Sequence, residues 1–352
     1  MSTLHQISSA ALRLLPAETG HGLALRGLSA GFGPRERADD FRILAQDICG
    51  LHFANPVAVS AGFDKNAAAI AGARRLGSGF VEIGGVTPRA QIGNPKPRLF
   101  RLAPDRAAIN RMGFNNKGAD AVLARVHAAQ DGSTPLGVNL AANSDSADPA
   151  QDFIALVEKF APAADFLTID VSCPNSANGQ VFLDPRALED LLACLNIARD
   201  ASSGSPVMFA KLTPDLEDAH LSELLEIMLT AKIDAITLCN TTTARPDSLQ
   251  GSNATERGGL SGAPLFEMAT EMLRKVYVQT DGAVPLIGVG GIMSGKDAYT
   301  KIRAGASLVQ LYTGLVYEGP GLIQQIKHDV AEHLTLDGFA NVSEAVGLEH
   351  RS

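Results

Sequence analysis

The sequence predicts an α/β protein built as a (β/α)8 barrel with a helical extension at its N-terminus, and three observations carry that reading. Eight short apolar, β-branched runs recur at residues 56–60, 79–83, 136–140, 166–171, 207–212, 235–238, 285–289 and 308–311. Helical patterns at 152–160, 185–198, 218–230, 264–278 and 295–304 lie between them. Polar, glycine-rich turns follow nearly every run. Continuous apolar runs suit parallel strands buried on both faces. Their alternation with helices predicts a parallel sheet, and eight repeats predict closure into a barrel. An open doubly wound sheet would gather its polar residues near one switch point instead.

Residues 1–50 precede the repeat, and the barrel is expected over 51–340. Leu4, Ile7, Ala11, Leu14 and Leu15 fall near helical spacing, and after Pro16 a second stretch sets His21, Leu25 and Leu28 on one face. Two short helices joined at the proline are expected to plug an end of the barrel; an apolar face resting on a membrane is the alternative. Across the 352 residues, 45% are hydrophobic, enough for one large core. The 30 basic and 38 acidic residues give a net charge of −8, which argues against a general nucleic-acid binder. Cys49, Cys173, Cys194 and Cys239 form no CxxC pair and no metal-ligand spacing, so no metal and a reducing, cytoplasmic setting are expected. No apolar run is long enough to span a bilayer, and the N-terminus lacks the features of a signal peptide.

Barrel active sites are assembled from the loops after the strands. Those loops carry Ser60-Ala61-Gly62-Phe63-Asp64-Lys65-Asn66, then Gly84-Gly85-Val86-Thr87-Pro88, then a long excursion ending in Asn110-Arg111-Met112-Gly113-Phe114-Asn115-Asn116. Asn139 lies on the third run and Lys211 on the fifth. The fourth ends in Asp170-Val171-Ser172-Cys173-Pro174-Asn175, and the sixth leads into Cys239-Asn240-Thr241. Gly258-Gly259-Leu260-Ser261-Gly262, Gly288-Val289-Gly290-Gly291-Ile292 and Tyr312-Thr313-Gly314 gather near the last strands, where backbone N–H groups of this architecture hold phosphate. Gly290 to Lys296 also fits GxxxxGK, but Asp297 stands where a P-loop needs Ser or Thr for magnesium, which disfavours an ATPase.

Assembled, these residues resemble the dihydroorotate dehydrogenase family, and its quinone-dependent class more than the soluble one. The most specific pieces are Ala61-Gly62-Phe63-Asp64-Lys65, Pro95-Lys96-Pro97-Arg98-Leu99-Phe100-Arg101 and the run from Asn110 to Asn116, with the glycine motifs at 258–262 and 288–291. Glu18-Thr19-Gly20-His21 resembles the helical lid through which that class admits its quinone.

The resemblance implies FMN-dependent oxidation of (S)-dihydroorotate to orotate, with quinone as electron acceptor and peripheral contact with the inner membrane. By position, it places Ala61, Gly62, Lys65, Gly85, Asn139, Asp170, Lys211 and Cys239 on the flavin and Gly262, Gly291, Tyr312 and Thr313 around its phosphate. Lys65, Asn110, Arg111, Met112, Gly113, Phe114, Asp170, Asn175, Asn240 and Thr241 would meet the substrate. His21 and Arg101 would line the quinone tunnel. Cys173 takes the position of the catalytic base, where positive neighbours such as Lys65 are expected to lower its pKa.

The chain departs from the family pattern at several of these positions. The quinone class has serine at Cys173, and the family has asparagine at Asp170. Gly85 replaces a hydroxyl residue, Ala141-Ala142 a Gly-Lys pair, and Cys239 a threonine. An ionised Asp170 would repel an anionic substrate. The alternatives are a paralogous flavin enzyme for a neutral dihydropyrimidine or other enone-type ligand, or a catalytically impaired flavin-binding barrel.

Overall fold

The computed structural model describes residues 3–132, 134–176 and 178–351, and only the backbone of residues 3–8. Eight parallel strands close the barrel: β1 (Val57–Val59), β2 (Phe80–Val86), β3 (Leu136–Leu140), β4 (Phe166–Asp170), β5 (Val207–Leu212), β6 (Ala235–Leu238), β7 (Leu286–Val289) and β8 (Ala306–Leu311). Each strand pairs with its neighbours in chain order, and β8 returns to β1. Each coincides with one of the eight apolar runs to within a few residues. Nearly every residue of these strands is buried, as a sheet packed on both faces requires.

The surrounding helices start where their capping chemistry says they should. Asp148 caps Pro149–Phe160 by accepting the Gln151 N–H at 3.1 Å, and Asp184 caps Pro185–Ala201 through the Ala187 N–H at 2.9 Å. Both helices carry proline at their first position, where the missing N–H costs nothing.

The N-terminal end of the barrel is closed by a hairpin, Gln46–Ile48 with Leu51–Phe53. Ile48 and Phe53 pack there with Phe80, Phe166, Phe209, Ile287 and Leu308. Phe166 stacks on Phe209 at 4.7 Å between ring centroids, and a side chain at Gly137 would overlap the Phe166 ring.

The two N-terminal helices, α1 (Thr3–Leu14) and α2 (Ala17–Ser29), sit at the opposite, C-terminal mouth. They cover one end of the barrel, as a plug would, but the hydrophobic stopper is the hairpin. Leu4 and Ile7 lie outside the residues whose side chains are described. The long excursion also holds structure of its own: Leu99–Leu102, Ala107–Asn110 and Gly259–Gly262 form an antiparallel sheet that sets Asn110 opposite Leu99 and Gly259. Among the described residues, no helix is long and apolar enough to cross a membrane.

Candidate active site

A cavity of about 670 Å³ opens at the C-terminal mouth between the strand ends and α1–α2. That is the size of a cofactor or substrate pocket. Cys173, Lys65, Asn110, Asn139, Asp170, Asn175, Lys211, Cys239, Asn240 and Thr241 all line it, drawn from six loops or strand ends. Ala61, Gly62, Gly85, Met112, Gly113, Phe114, Gly262, Gly291, Tyr312, Thr313, His21 and Arg101 line it as well.

One end of the cavity is a backbone cradle. Gly262 and Gly291 take φ of +97° and +78°, which a side chain tolerates poorly. A Cβ at Gly291 would also overlap Phe266, the first residue of the helix Phe266–Gln279. Ser261 and Thr313 share a hydroxyl–hydroxyl bond of 2.9 Å across this cradle. Bare backbone beside a helix start and two hydroxyls is the donor set a phosphate requires.

Part of the lining is polar and under-satisfied. Glu82 lies wholly buried inside the barrel, where Asn139 Nδ2 donates to it at 3.4 Å and the Gln310 amide donates from the far side. That leaves Asn139 Oδ1 and Gln310 Oε1 without partners although both are buried. Both amides line the cavity, where a bound molecule can complete their bonding. Lys65 donates to the Gly62 carbonyl at 2.6 Å, and loss of solvent with Arg98 nearby brings its ammonium down to about 8. The Lys65 loop is fixed by Asp64, whose carboxylate accepts the N–H groups of Asn66, Ala68 and Ala69.

Asn94 ties together the loops that carry Arg111 and Asn175. Its Nδ2 donates to the carbonyls of Arg111 and Asn175, each at 3.0 Å. Between these loops Cys173 packs with Phe114 and Ala141. This overturns the expected acidic thiol. Burial in that apolar cluster, reinforced by Asp170, pushes Cys173 up to about 12, and the Asn175 N–H, Lys211 and Lys65 only partly oppose it.

The lid meets the barrel through aromatic rings and an ion pair. His21 lies 5.3 Å from Phe63 and 5.7 Å from Tyr312, centroid to centroid. Burial, with Lys65 near, lowers the His21 imidazole to about 4, so it is neutral at ordinary pH. Glu18 on α2 pairs with Arg98 at 2.7 Å, and Arg98 is only 5% exposed. Arg101 donates to the Arg13 carbonyl at 2.7 Å and also to that of Leu15, holding the end of α1.

Arg111 alone among the expected residues does not line the cavity. Its guanidinium pairs with Glu256 at 2.7 Å and lies 4.5 Å over the Phe100 ring, so it braces the Asn110–Asn116 loop from outside. Sequence reasoning missed Gln310, Ser261 and Glu82. The only signal for Gln310 and Glu82 was a polar residue inside an apolar strand.

Residues 43–334 match the family model described as Dihydroorotate dehydrogenase. A dihydroorotate dehydrogenase (quinone) of Rhodospirillum rubrum is 48% identical over 339 residues, covering 96% of this chain and 92% of the relative. Another, from Cereibacter sphaeroides, is 46% identical and covers 99% of this chain and 98% of its own. Among solved structures, DHODH from Eimeria tenella in complex with ferulenol superposes with a TM-score of 0.91 at 36% identity, covering 95% of this chain and 96% of that one. Its ligand-free form gives 0.90, covering 94% and 99%. With cavity, cradle and lid in place on the same barrel, the chain belongs to the dihydroorotate dehydrogenase family of oxidoreductases.

Proposed function

We propose that this protein oxidises (S)-dihydroorotate to orotate in pyrimidine biosynthesis, with FMN as its flavin and a quinone as electron acceptor. The observation that carries the reading is one cavity lined both by a glycine-rich backbone cradle suited to phosphate and by unpartnered amide oxygens. Those orphans fit the flavin: Asn139 Oδ1 and Gln310 Oε1 can accept ring N–H groups, while Gly262, Gly291, Ser261 and Thr313 can hold its phosphate. When bound, FMN supplies the acceptor for the hydride that leaves C6 of the ring.

The remaining roles fall to the chain's own residues. The Lys65 and Lys211 ammonium groups offset negative charge at the reacting end of the cavity. Asn110, Asn175, Asn240 and Thr241 orient a flat ring through its amides, and the Met112–Gly113–Phe114 backbone closes over it. Cys173 takes the C5 proton. Because its thiol is held high by burial, the proton leaves the carbon only in the small thiolate fraction, so chemistry quickens as pH rises.

His21, Phe63 and Tyr312 form the aromatic passage between flavin and lid that suits a quinone ring. Leu14 and Phe32 on and beside the lid helices are 89% and 74% exposed. They favour peripheral contact with a membrane, where a quinone would be met. Deleting residues 1–40 tests this part: quinone reduction should collapse while flavin reduction by dihydroorotate persists. Equal loss of both would contradict it.

A further inference from the structure

We propose that Lys301 is the counter-charge of the cofactor's phosphate, buried behind the cradle and acting through the start of the helix Phe266–Gln279 without touching the ligand. This rests on the FMN reading above and extends it to how a phosphorylated flavin is told from an unphosphorylated one. Lys301 lies on the helix Gly295–Arg303, is wholly buried and does not line the cavity. Its Nζ donates to Thr270 Oγ1 at 2.9 Å and lies 5.0 Å from the centroid of the Phe266 ring. Thr270 Oγ1 donates in turn to the Phe266 carbonyl at 2.7 Å. Phe266 is also the residue against the cradle, since a Cβ at Gly291 would stand 2.6 Å from its backbone nitrogen. Ammonium, aromatic residue and cradle are therefore successive layers. The lysine stem packs on the end of β7, where a Cβ at Gly288 would stand 3.3 Å from its Cδ.

The protein itself does not pair this charge. Among the described residues no carboxylate oxygen comes within 4.0 Å of the Lys301 ammonium. A buried cation without an ion-pair partner is costly, and its position adds to the cost. The first turn of a helix is the positive end of its dipole, which repels a cation placed there. An anion in the cradle reverses both penalties. It meets bare N–H groups in front and, one aromatic ring behind, a full positive charge that water does not screen. Loss of solvent brings Lys301 down to about 8, with Cys239, Asp297 and Glu267 opposing and Arg274 reinforcing, so the ammonium remains the main form at neutral pH. A lysine that only fastened the helix start would serve any flavin alike, whereas a charge serves the phosphate alone.

The test compares FMN with riboflavin, the same ring and ribityl chain without the phosphate. The full chain, freed of flavin, is titrated with each at pH 7, and Kd is read from the quenching of flavin fluorescence. Lys301→Met keeps the length of the stem and drops the charge. It should lower the preference for FMN over riboflavin by about tenfold or more while leaving the riboflavin Kd nearly unchanged. Lys301→Gln, which keeps a donor for Thr270, should show the same loss and stands in if the Met variant does not fold. A smaller fall in that preference, or equal weakening of both flavins, overturns the assignment. A wild-type protein that binds riboflavin as tightly as FMN, or binds neither, sinks the cofactor reading itself, and this assignment with it.

Discussion

Cys173 gives the sharpest consequence of the geometry. Packed against Phe114 and Ala141, its thiol is pushed up to about 12. Each pH unit below that value leaves tenfold less thiolate, so about one molecule in 10⁵ carries it at pH 7 and about one in 10² at pH 10. If the thiolate takes the C5 proton, flavin reduction at saturating dihydroorotate should rise about tenfold per pH unit across that span. Anaerobic stopped-flow absorbance of the flavin measures it directly. Cys173→Ala should lower the rate by about 10² to 10⁴, the usual worth of a positioned base, and flatten the slope. A wild-type rate that levels off by pH 8, or an undiminished rate in Cys173→Ala, would refute the reasoning.

Gly291→Val places a branched side chain at φ +78° and into Phe266; FMN affinity should fall about 10- to 100-fold, read as flavin retained per protein on desalting. Glu18→Gln removes the carboxylate partner of buried Arg98 and should loosen the lid by about 2 kcal/mol, seen as faster limited proteolysis of residues 1–30. The Arg98 guanidinium also holds Glu18 below the usual carboxylate range. Its contribution is therefore full above about pH 4.5 and is lost as pH falls through the lowered value, so acid should release the wild-type lid and leave the Glu18→Gln lid unaffected.

The barrel was legible in the sequence because buried parallel strands cannot alternate polar and apolar residues, and each run ended in a recognisable turn. The antiparallel sheet was not. Leu99–Leu102 and Ala107–Asn110 are four residues each, and their third partner, Gly259–Gly262, lies about 150 positions away and reads as a glycine turn. Position sufficed to gather the cavity residues, since strand ends converge in this architecture. It could not say that the Arg111 guanidinium turns outward to Glu256, because neighbours in sequence need not share a direction. The acidity of Cys173 was read with the wrong sign. Nearby lysines were visible in the motifs, whereas the apolar shell of Phe114 and Ala141 exists only after folding, and desolvation outweighs the lysines. Glu82 and Gln310 were hidden for a related reason: a polar pair inside a barrel announces itself only through the unpartnered amide oxygens it leaves behind.

The central claim is that this cavity oxidises dihydroorotate at a bound flavin. Anaerobic mixing of the FMN-loaded protein with dihydroorotate, beside dihydrouracil as the neutral comparison, tests it most directly. Rapid bleaching of the flavin absorbance by dihydroorotate, and little by dihydrouracil, is the expected result. No bleaching at millimolar dihydroorotate, or faster bleaching by dihydrouracil, would contradict it.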